Sequence, residues 1–585
     1  MSIVVDTDVL IVGAGPAGLT AAALLARQGV SAITVSKYPS TANTPRAHIT
    51  NQRTLEVMRD LGIEELVYQH GQKMPDVPEN VWVTSLAGRE LARRKAWGTR
   101  VDRRADYDES SPSSMVNIGQ HVLEPLICRR ALESGADIRF QTELVEIGQD
   151  ADAVTAVLKY RPTGETYRIR AKYVIGADGG RSTVADQIDF EHDGPTKMGY
   201  ALNAWIEADL TRFVEHRPGI LYWTNHPGRD YFFGSGSLLV VSPWNEWVVQ
   251  FSYDPSAENL EATEEMMLPR VQTAIGDPSV PVKIKGLYKW EVNAQIARDY
   301  RIGRVFIAGD AAHRHSPANG LGSNTSIQDS YNLAWKLAAV LQGNADDSLL
   351  DSYHSERQPI GAQIVDRATR SMALVGAVPG KLGIQSGQAE EEGWAAVDGL
   401  FAPTAEARQR RDELQAAVDE WEYGYNCHGV EMGQRYTEGA LVDDGTPFPP
   451  YERDGELYYH PTTHPGAYLP HVWLNHDGTQ VSTLDVVPAD TWTLITGVEG
   501  QAWADAAADL SAKLGIGIAT RAVGHGLEFH DVYGDWAKTR EITDGGCLLV
   551  RPDRHIAWRA ADASVSPATD LREAFGKILR PGSHD

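Results

Sequence analysis

Asp8-Val9-Leu10-Ile11-Val12-Gly13-Ala14-Gly15-Pro16-Ala17-Gly18-Leu19 decides how the rest of the chain is read. Four apolar residues, Val9 to Val12, run into Gly-x-Gly-x-x-Gly, and an Ala/Leu-rich stretch follows. This pattern predicts a buried parallel strand, a tight turn and a helix over residues 17–28. Gly13 permits the turn, Gly15 lets the backbone approach a diphosphate, and Gly18 lets the helix pack against the strand. The helix N-terminus offers free N–H groups and the positive end of its dipole to phosphate. A dinucleotide site at Gly13, Gly15, Ala17 and Gly18 is the expectation. A second strand is expected over residues 32–35. Folds of this type usually end that strand with an acid for the ribose hydroxyls. Ser36 stands there instead, followed by Lys37. A hydroxyl can still bond to ribose, so both are carried as cofactor candidates.

Composition sets the frame. At roughly 150 residues per domain, 585 residues suggest three or four units. The formal charge is 54 − 79 = −25, which argues against nucleic-acid or anionic-membrane partners. Cys128, Cys427 and Cys547 are far apart and form no CxxC or disulfide framework, which fits a reducing cytoplasm. The N-terminus lacks a basic signal-peptide region, and no run of 18 apolar residues exists.

Outward from the first turn, residues 44–50 read as a polar loop and 51–61 as an amphipathic helix. Strands are expected within 76–100, where Trp97 sits among basic residues. A helix opens at Gln120, and strands alternate from 138 to 169. Residues 173–182 end a buried strand in a Gly-rich turn. Residues 186–300 alternate in period two and are rich in Trp and Tyr, as a mostly antiparallel sheet would be. Residues 304–310 return to a buried strand, and 326–341 and 353–372 are strongly helical. A looser linker with Gly376, Pro379, Gly380 and Gly387 follows, then a charged helix over 406–421. Past a Pro/Gly-rich boundary at 461–470, the chain reads as a separate small α/β unit.

Three ordered motifs carry a resemblance. Gly13-x-Gly15-x-x-Gly18, Ala177-Asp178-Gly179 and Gly309-Asp310-Ala311-Ala312-His313 occur with Asn332-Leu333-Ala334-Trp335-Lys336-Leu337 and Tyr353-x-x-Glu356-Arg357-x-Pro359. Together they resemble the class A FAD-dependent aromatic hydroxylases. The Pro45-Arg46-Ala47-His48 loop and the 320–326 loop are most similar to the phenol-hydroxylase branch. The resemblance implies a Rossmann-like FAD-binding domain of the para-hydroxybenzoate-hydroxylase type (1–75, 101–185 and 300–345). It also implies a mainly antiparallel substrate domain (76–100 and 186–299), a helical segment and linker (346–460) and a C-terminal thioredoxin-like domain (461–585). That last unit carries no CxxC, so packing or dimerisation is expected of it rather than redox chemistry.

The implied activity is ortho-hydroxylation of a phenol to a catechol by NADPH or NADH and O2, through a flavin C4a-hydroperoxide. Asp310 ends a strand beside a turn, where a carboxylate can bond a ribityl hydroxyl, as the family's does. N–H groups of the loop entering the next helix can hold negative charge on the reduced flavin; the resemblance puts Gly320, Gly322, Ser323 and Asn324 there. It puts Pro317 over the isoalloxazine near the substrate, Arg46 and Gln120 near the FAD, and Asp178 in FAD and NAD(P)H contact. Three positions depart from the pattern: Ser36, Ala185 where an arginine often follows the Asp-Gly motif, and Ser242 where an arginine often precedes Pro243-Trp244.

A phenolate pushes charge to its ortho carbon, so a base near neutral pKa suits the reaction. His48, two residues from Arg46, is the candidate base. His313 is expected to brace its turn. His315, Trp97, Trp205, Tyr222 and Trp223 are candidate pocket residues that exclude water. His313 and His315 have no third ligand cluster, so no metal is expected. A small phenolic substrate and a homodimer or homotetramer complete the expectation. Two other readings stand beside it: a polyketide or antibiotic tailoring hydroxylase of the same flavin class, and a non-catalytic flavin-dependent binding or regulatory protein.

Overall fold

Val4–Val12 lies at the centre of an eight-stranded sheet, and its four innermost residues Val9–Val12 are almost wholly buried. Parallel neighbours run Val305–Ile307, Thr166–Gly176, Val4–Val12, Ala32–Val35 and Asp137–Arg139. Continuous apolar runs suit strands covered on both faces. Helix Pro16–Arg27 packs here against Gly322–Leu341 and Gln120–Glu133. This computed structural model describes residues 4–228, 235–253, 261–385 and 387–580. Parts of the expected β-rich stretch, at 229–234 and 254–260, lie outside the described residues.

The second layer is a seven-stranded sheet in the order Lys283–Val292, Gly199–Glu207, Glu246–Tyr253, Gly236–Ser242, Gly219–Thr224, Glu79–Val83 and Glu90–Lys95. It is antiparallel except where Gly219–Thr224 meets Glu79–Val83. Period-two patterning sends Leu202, Ala204, Leu238, Val240, Val249 and Tyr222 to one face, against helix Glu264–Ile275. Asn203, Trp205, Gln250 and Trp223 alternate with these residues along the same strands and point to the opposite face.

The looser linker expected after Met372 is instead helical, as Ala377–Leu382 and Glu390–Gly399, and the charged helix expected over 406–421 is Ala405–Glu420. Val378, Leu382, Val397, Leu414 and Val418 bury themselves against Trp82, Trp97 and Trp421. That burial outweighs the poor helix propensity of Pro379 and Gly380.

In the C-terminal unit the sheet order Ile556–Ala560, Cys547–Val550, Trp492–Thr496, Ile518–Gly524, with helices Gln501–Leu514 and Pro567–Leu579, is thioredoxin-like. Cys547 is fully buried, and burial pushes its thiol pKa well up, so no redox thiol stands in the strand. The unit is held by charge. Glu356 on helix Asp351–Met372 is fully buried and accepts from Arg551 Nη1 (2.7 Å) and Nη2 (2.9 Å). It also accepts from Lys336 Nζ (2.7 Å), Asn332 Nδ2 (2.6 Å) and the Ala440 N–H (2.8 Å). Trp335, on the same helix as Lys336, meets Trp492 edge to face at 5.5 Å.

Burial alone would raise the Glu356 pKa, but Arg551 and Lys336 outweigh it and hold it at about 2. The folded value is below the ordinary 4.5, so this contribution is complete above pH 4.5 and is lost as pH falls toward about 2. Glu356→Ala is expected to destabilise the chain by about 3–5 kcal/mol, because buried Lys336 loses its carboxylate and buried Arg551 keeps only Asp553. Urea denaturation at pH 7 measures the loss, and the acid limb of the wild-type stability curve should flatten in the variant.

Candidate functional site

The first turn separates a structural glycine role from a binding one. A Cβ on Gly13 (φ +114°) would stand 2.1 Å from the Ala177 carbonyl oxygen. A Cβ on Gly18 would stand 1.9 Å from the Gly13 oxygen. Both glycines are forced by close approach of backbone. A Cβ on Gly15 would meet only Glu124 Oε1, at 3.9 Å. Gly15 therefore faces open space at the N-terminus of Pro16–Arg27, where no side chain caps the helix. Unpaired N–H groups beside room for an anion fit a diphosphate. Ser36 is buried, and its hydroxyl accepts from the Tyr38 N–H at 3.3 Å; Lys37 is half-buried beside it.

About 300 residues on, Asp310 ends the strand Val305–Ile307 with an exposed carboxylate. The turn is held from beneath. Asp329, fully buried, accepts from the Gly309 N–H (3.0 Å), His313 Nε2 (2.8 Å) and Arg357 Nε (2.9 Å). His313 thus braces the turn. His315 bonds through Nδ1 to the Ser316 carbonyl at 2.7 Å and lies beside Gly322. Burial and neighbouring His313 pull its pKa to about 4, so it is neutral at pH 7. Pro317 is exposed at the start of the 318–320 turn, and Gly320, Gly322 and Ser323 are part-exposed. Helix Gly322–Leu341 has no side-chain cap, so the N–H groups of Gly322 and Ser323 are available to a ligand. Asn324 follows in the same uncapped first turn, and its side chain has a further task. Its side chain accepts the Asn51 N–H (3.0 Å) and donates to Ile49 O (2.9 Å) and Gly320 O (2.6 Å), tying the loop down.

The Asp178 carboxylate accepts Ser182 Oγ and the N–H groups of Thr183 (2.7 Å) and Val184 (3.2 Å), so it helps to cap helix Thr183–Gln187, and it is part-exposed with acceptor capacity left over. Arg46 is exposed, with one weak contact to Thr44 Oγ1 at 3.4 Å. Gln120 receives the Ala47 N–H at 3.4 Å and donates to Glu124 Oε1 at 2.5 Å.

The 45–50 loop is pinned by Ile118 N–H to His48 O (2.7 Å) and Gln120 N–H to Ala47 O (2.8 Å). His48 Nδ1 lies 2.8 Å from Asn117 Oδ1. Asn117 Nδ2 donates to the Val240 carbonyl (3.2 Å) and to Gln72 Oε1 (2.5 Å). A carbonyl only accepts, so the amide orientation is fixed, and Oδ1 faces His48. His48 Nδ1 must then carry the proton, and Nε2 keeps its lone pair. Burial lowers the His48 pKa, partly offset by the Asn117 bond.

Asn117 reaches strand Gly236–Ser242, so His48 sits over the middle of the second sheet. The aromatic candidates fall on two sides. Trp205 packs on His121 (5.3 Å) beneath Lys285 (4.0 Å). Trp223 donates Nε1–H to Tyr425 Oη at 2.8 Å, and Trp97 meets the same ring at 5.2 Å. Trp205 and Trp223 stand three strands apart, about 14 Å, so one small ring cannot touch both. Trp97 has φ 46° and a buried, unpartnered Nε1. Tyr222 is corrected: it faces the opposite side of the sheet, with its hydroxyl bonded to Arg217 O and the Gly219 N–H, both at 2.8 Å. Period two sends it away from its neighbour Trp223.

The sequence reading missed Asn117, Glu124 and Tyr425. Glu124 had a signal, lying one helical turn after Gln120. Asn117 and Tyr425 had none, since each meets its partner only through tertiary contact.

Gly15→Val is expected to fold and melt like the ligand-free wild type, yet to lose at least about tenfold in dinucleotide affinity, the worth of one charge-assisted bond. Gly18→Val should lower the melting temperature of the ligand-free protein itself. Absorbance of the dinucleotide retained through gel filtration, with thermal melts, separates the two.

Comparison with known proteins agrees with this geometry. The family model "FAD binding domain" matches residues 6–368, and "Aromatic-ring hydroxylase, C-terminal" matches 462–581. The 2,4-dichlorophenol 6-monooxygenase of Cupriavidus pinatubonensis is 46% identical over 99% of this chain and 97% of its own. The phenol 2-monooxygenase of a Pseudomonas species is 42% identical over 99% and 94%. The crystal structure of the flavin-dependent monooxygenase PieE with FAD and substrate superposes with a TM-score of 0.95, at 45% identity, over 98% of this chain and 99% of that one. Among the described residues no helix is long and apolar enough to cross a membrane. The open Gly15 turn, the braced Asp310 turn and these matches together make the chain a member of the FAD-dependent aromatic-ring hydroxylases.

Proposed function

We propose that this monooxygenase converts a small phenol to a catechol by ortho-hydroxylation, with His48 as the base that takes the phenolic proton. One observation carries the role of His48: the chain from Val240 O through Asn117 to His48 Nδ1, which leaves Nε2 unprotonated. Bound FAD supplies the redox chemistry, taking hydride from NAD(P)H and activating O2. The rest falls to the chain's own groups. Gly15 and the N-terminus of Pro16–Arg27 would hold the diphosphate, Asp310 the ribityl hydroxyls, and the Gly322 and Ser323 N–H groups the pyrimidine edge.

A phenol hydroxyl bonded to His48 Nε2 gives up its proton as the ring is attacked. The resulting phenolate raises electron density at the ortho carbon. Burial keeps His48 neutral to a lower pH than free imidazole, so it is ready to accept at pH 7. The Trp97, Trp223 and Tyr425 cluster, closed by helices Ala377–Leu382 and Ala405–Glu420, supports a dry wall for one side of the ring. Trp97 Nε1 is a free donor there for a polar substituent. The substrates named for the relatives, phenol and a dichlorophenol, are of the size such a wall suits.

The test is to assay FAD-loaded protein with a panel of phenols for stimulated NADH and NADPH oxidation and catechol formation. No catechol from any phenol would refute the reading. His48→Ala should lower hydroxylation by about 10²–10⁴-fold at pH 7. It should keep its FAD and divert NAD(P)H oxidation to H2O2. The pH profile follows from the shift. With the His48 pKa lowered from 6.5, the acid limb of hydroxylation should lie below pH 6.5. Asn117→Asp sets a carboxylate on Nδ1–H, favours the imidazolium and should move that limb upward by roughly one to three pH units.

A further inference from the structure

Asparagine at 319 is not what the backbone there asks for. Asn319 lies in the turn Ala318–Gly320, just before helix Gly322–Leu341, with φ 63° and its side chain buried. Glycine adopts that left-handed conformation freely, whereas asparagine only tolerates it. Asn319 Nδ2 donates to the Tyr423 carbonyl at 2.8 Å, and Oδ1 is buried with no partner among the described residues. A carbonyl only accepts, so the amide cannot turn round without losing its one bond. An unpaired buried acceptor destabilises the fold and offsets much of what that bond contributes. The turn by itself therefore gains little stability from the residue, and the bond to Tyr423 matters through what it connects.

Tyr423 belongs to the short segment 421–426, which reaches three parts of the site. Tyr425 Oη accepts Trp223 Nε1–H at 2.8 Å, from the second sheet. Asn426 Oδ1 accepts the Gly98 N–H at 3.2 Å, next to Trp97, and the Trp97 ring meets Tyr425 at 5.2 Å. The third part is the turn that carries Asn319. That turn also packs on the residue after His48, since a Cβ on Gly320 would lie 2.7 Å from Ile49 Cβ. The segment is stiffened from behind. Buried Arg367, on helix Asp351–Met372, donates Nη2 to the carbonyls of Tyr423 (2.8 Å) and Asn426 (3.1 Å), and Ser371 Oγ donates to Tyr423 O at 3.0 Å. Trp421 stacks on Tyr425 at 5.0 Å. A shift of the aromatic wall therefore reaches the turn through few and short bonds.

We propose that Asn319 is a positioning residue for the hydroxylation: its amide ties the turn Ala318–Gly320 to the aromatic segment 421–426, so that a ring docked on the wall also sets the turn. This rests on the reading that a small phenol lies against Trp97, Trp223 and Tyr425 and that the Gly320–Asn324 loop meets the flavin. In this role Asn319 acts through Tyr423 and Tyr425. Arg367 and Ser371 keep the segment from giving way, so that displacement of the wall is passed on to the turn.

The test uses FAD-loaded enzyme. Asn319→Gly keeps the left-handed backbone and removes the amide, so FAD content and melting temperature should hold. Catechol formed per NAD(P)H oxidised should fall about two- to tenfold, the worth of one hydrogen bond, with the difference appearing as H2O2. The Kd of the phenol, from titration of the flavin absorbance, should stay as in the wild type, because the wall is intact. Tyr425→Phe removes the hydroxyl that Trp223 meets and should lower coupling as well. In the double variant Asn319→Gly with Tyr425→Phe, the combined loss should fall short of the product of the single losses, as for residues acting through one segment. Amide hydrogen exchange gives a readout without turnover. A bound phenol should slow exchange in both 421–426 and 318–324 of the wild type, and in Asn319→Gly only 421–426 should stay protected. Unchanged coupling and unchanged protection of 318–324 in Asn319→Gly would overturn the proposal. So would a lowered melting temperature with coupling per bound FAD intact, which leaves a purely structural bond, or losses that multiply in the double variant. Wild-type enzyme that forms no catechol from any phenol would refute the underlying reading instead, while the exchange experiment still tests the link.

Discussion

From inside helix Gly322–Leu341, Asp329 accepts three hydrogen bonds. One comes from the backbone of the Asp310 turn, one from His313 in the same motif, and one from Arg357 on the next helix. A carboxylate buried to this depth survives only with its oxygens satisfied and its charge matched. The turn, the two helices and Arg357 must therefore assemble together. Glu356 repeats the device one residue along, with Lys336 and Arg551, and so brings in the thioredoxin-like unit. The bracing of the Asp310 turn and the docking of the last domain both depend on Glu356 and Arg357, adjacent residues on one helix.

This arrangement explains motifs that look unrelated to chemistry. Asn332, Trp335 and Lys336 recur on one helix and Glu356 and Arg357 on the other because they form one buried network. None is placed to touch a substrate. They hold the helix Gly322–Leu341 so that its uncapped first turn stays at the site. Surface pairs such as Arg59 with Asp485 add little by comparison, since exposed ion pairs contribute about 0–1 kcal/mol.

The reactive end is assembled from three distant segments. His48 comes from the first hundred residues, its orienting amide Asn117 from a strand pair, and the sheet beneath from residues past 199. His48 lies over the centre of that sheet. The aromatic cluster belongs to one side of it, completed by Tyr425 from the Trp421–Tyr425 stretch of the helical region. The space beside His48 is therefore shaped by packing between segments more than by any single strand.

The sequence by itself determined the layers. Apolar runs ending in glycine turns marked the buried parallel strands, and period-two alternation marked the second sheet, because both patterns are local consequences of which face meets water. It also marked Gly13 and Gly18, whose need for glycine follows from close backbone approach at a strand end. Only the tertiary structure decided what each side chain faces. Tyr222 and Trp223 look alike in sequence, yet the sheet sends one to the core and the other toward Tyr425. Residues 377–382 read as linker and are a helix, because buried contacts there outweigh propensity. Asn117 carries no signal at all, since a tautomer is set by a hydrogen bond between residues 69 apart. The opening glycine turn keeps its meaning throughout, with Gly15 alone facing open space because the other two are closed by backbone.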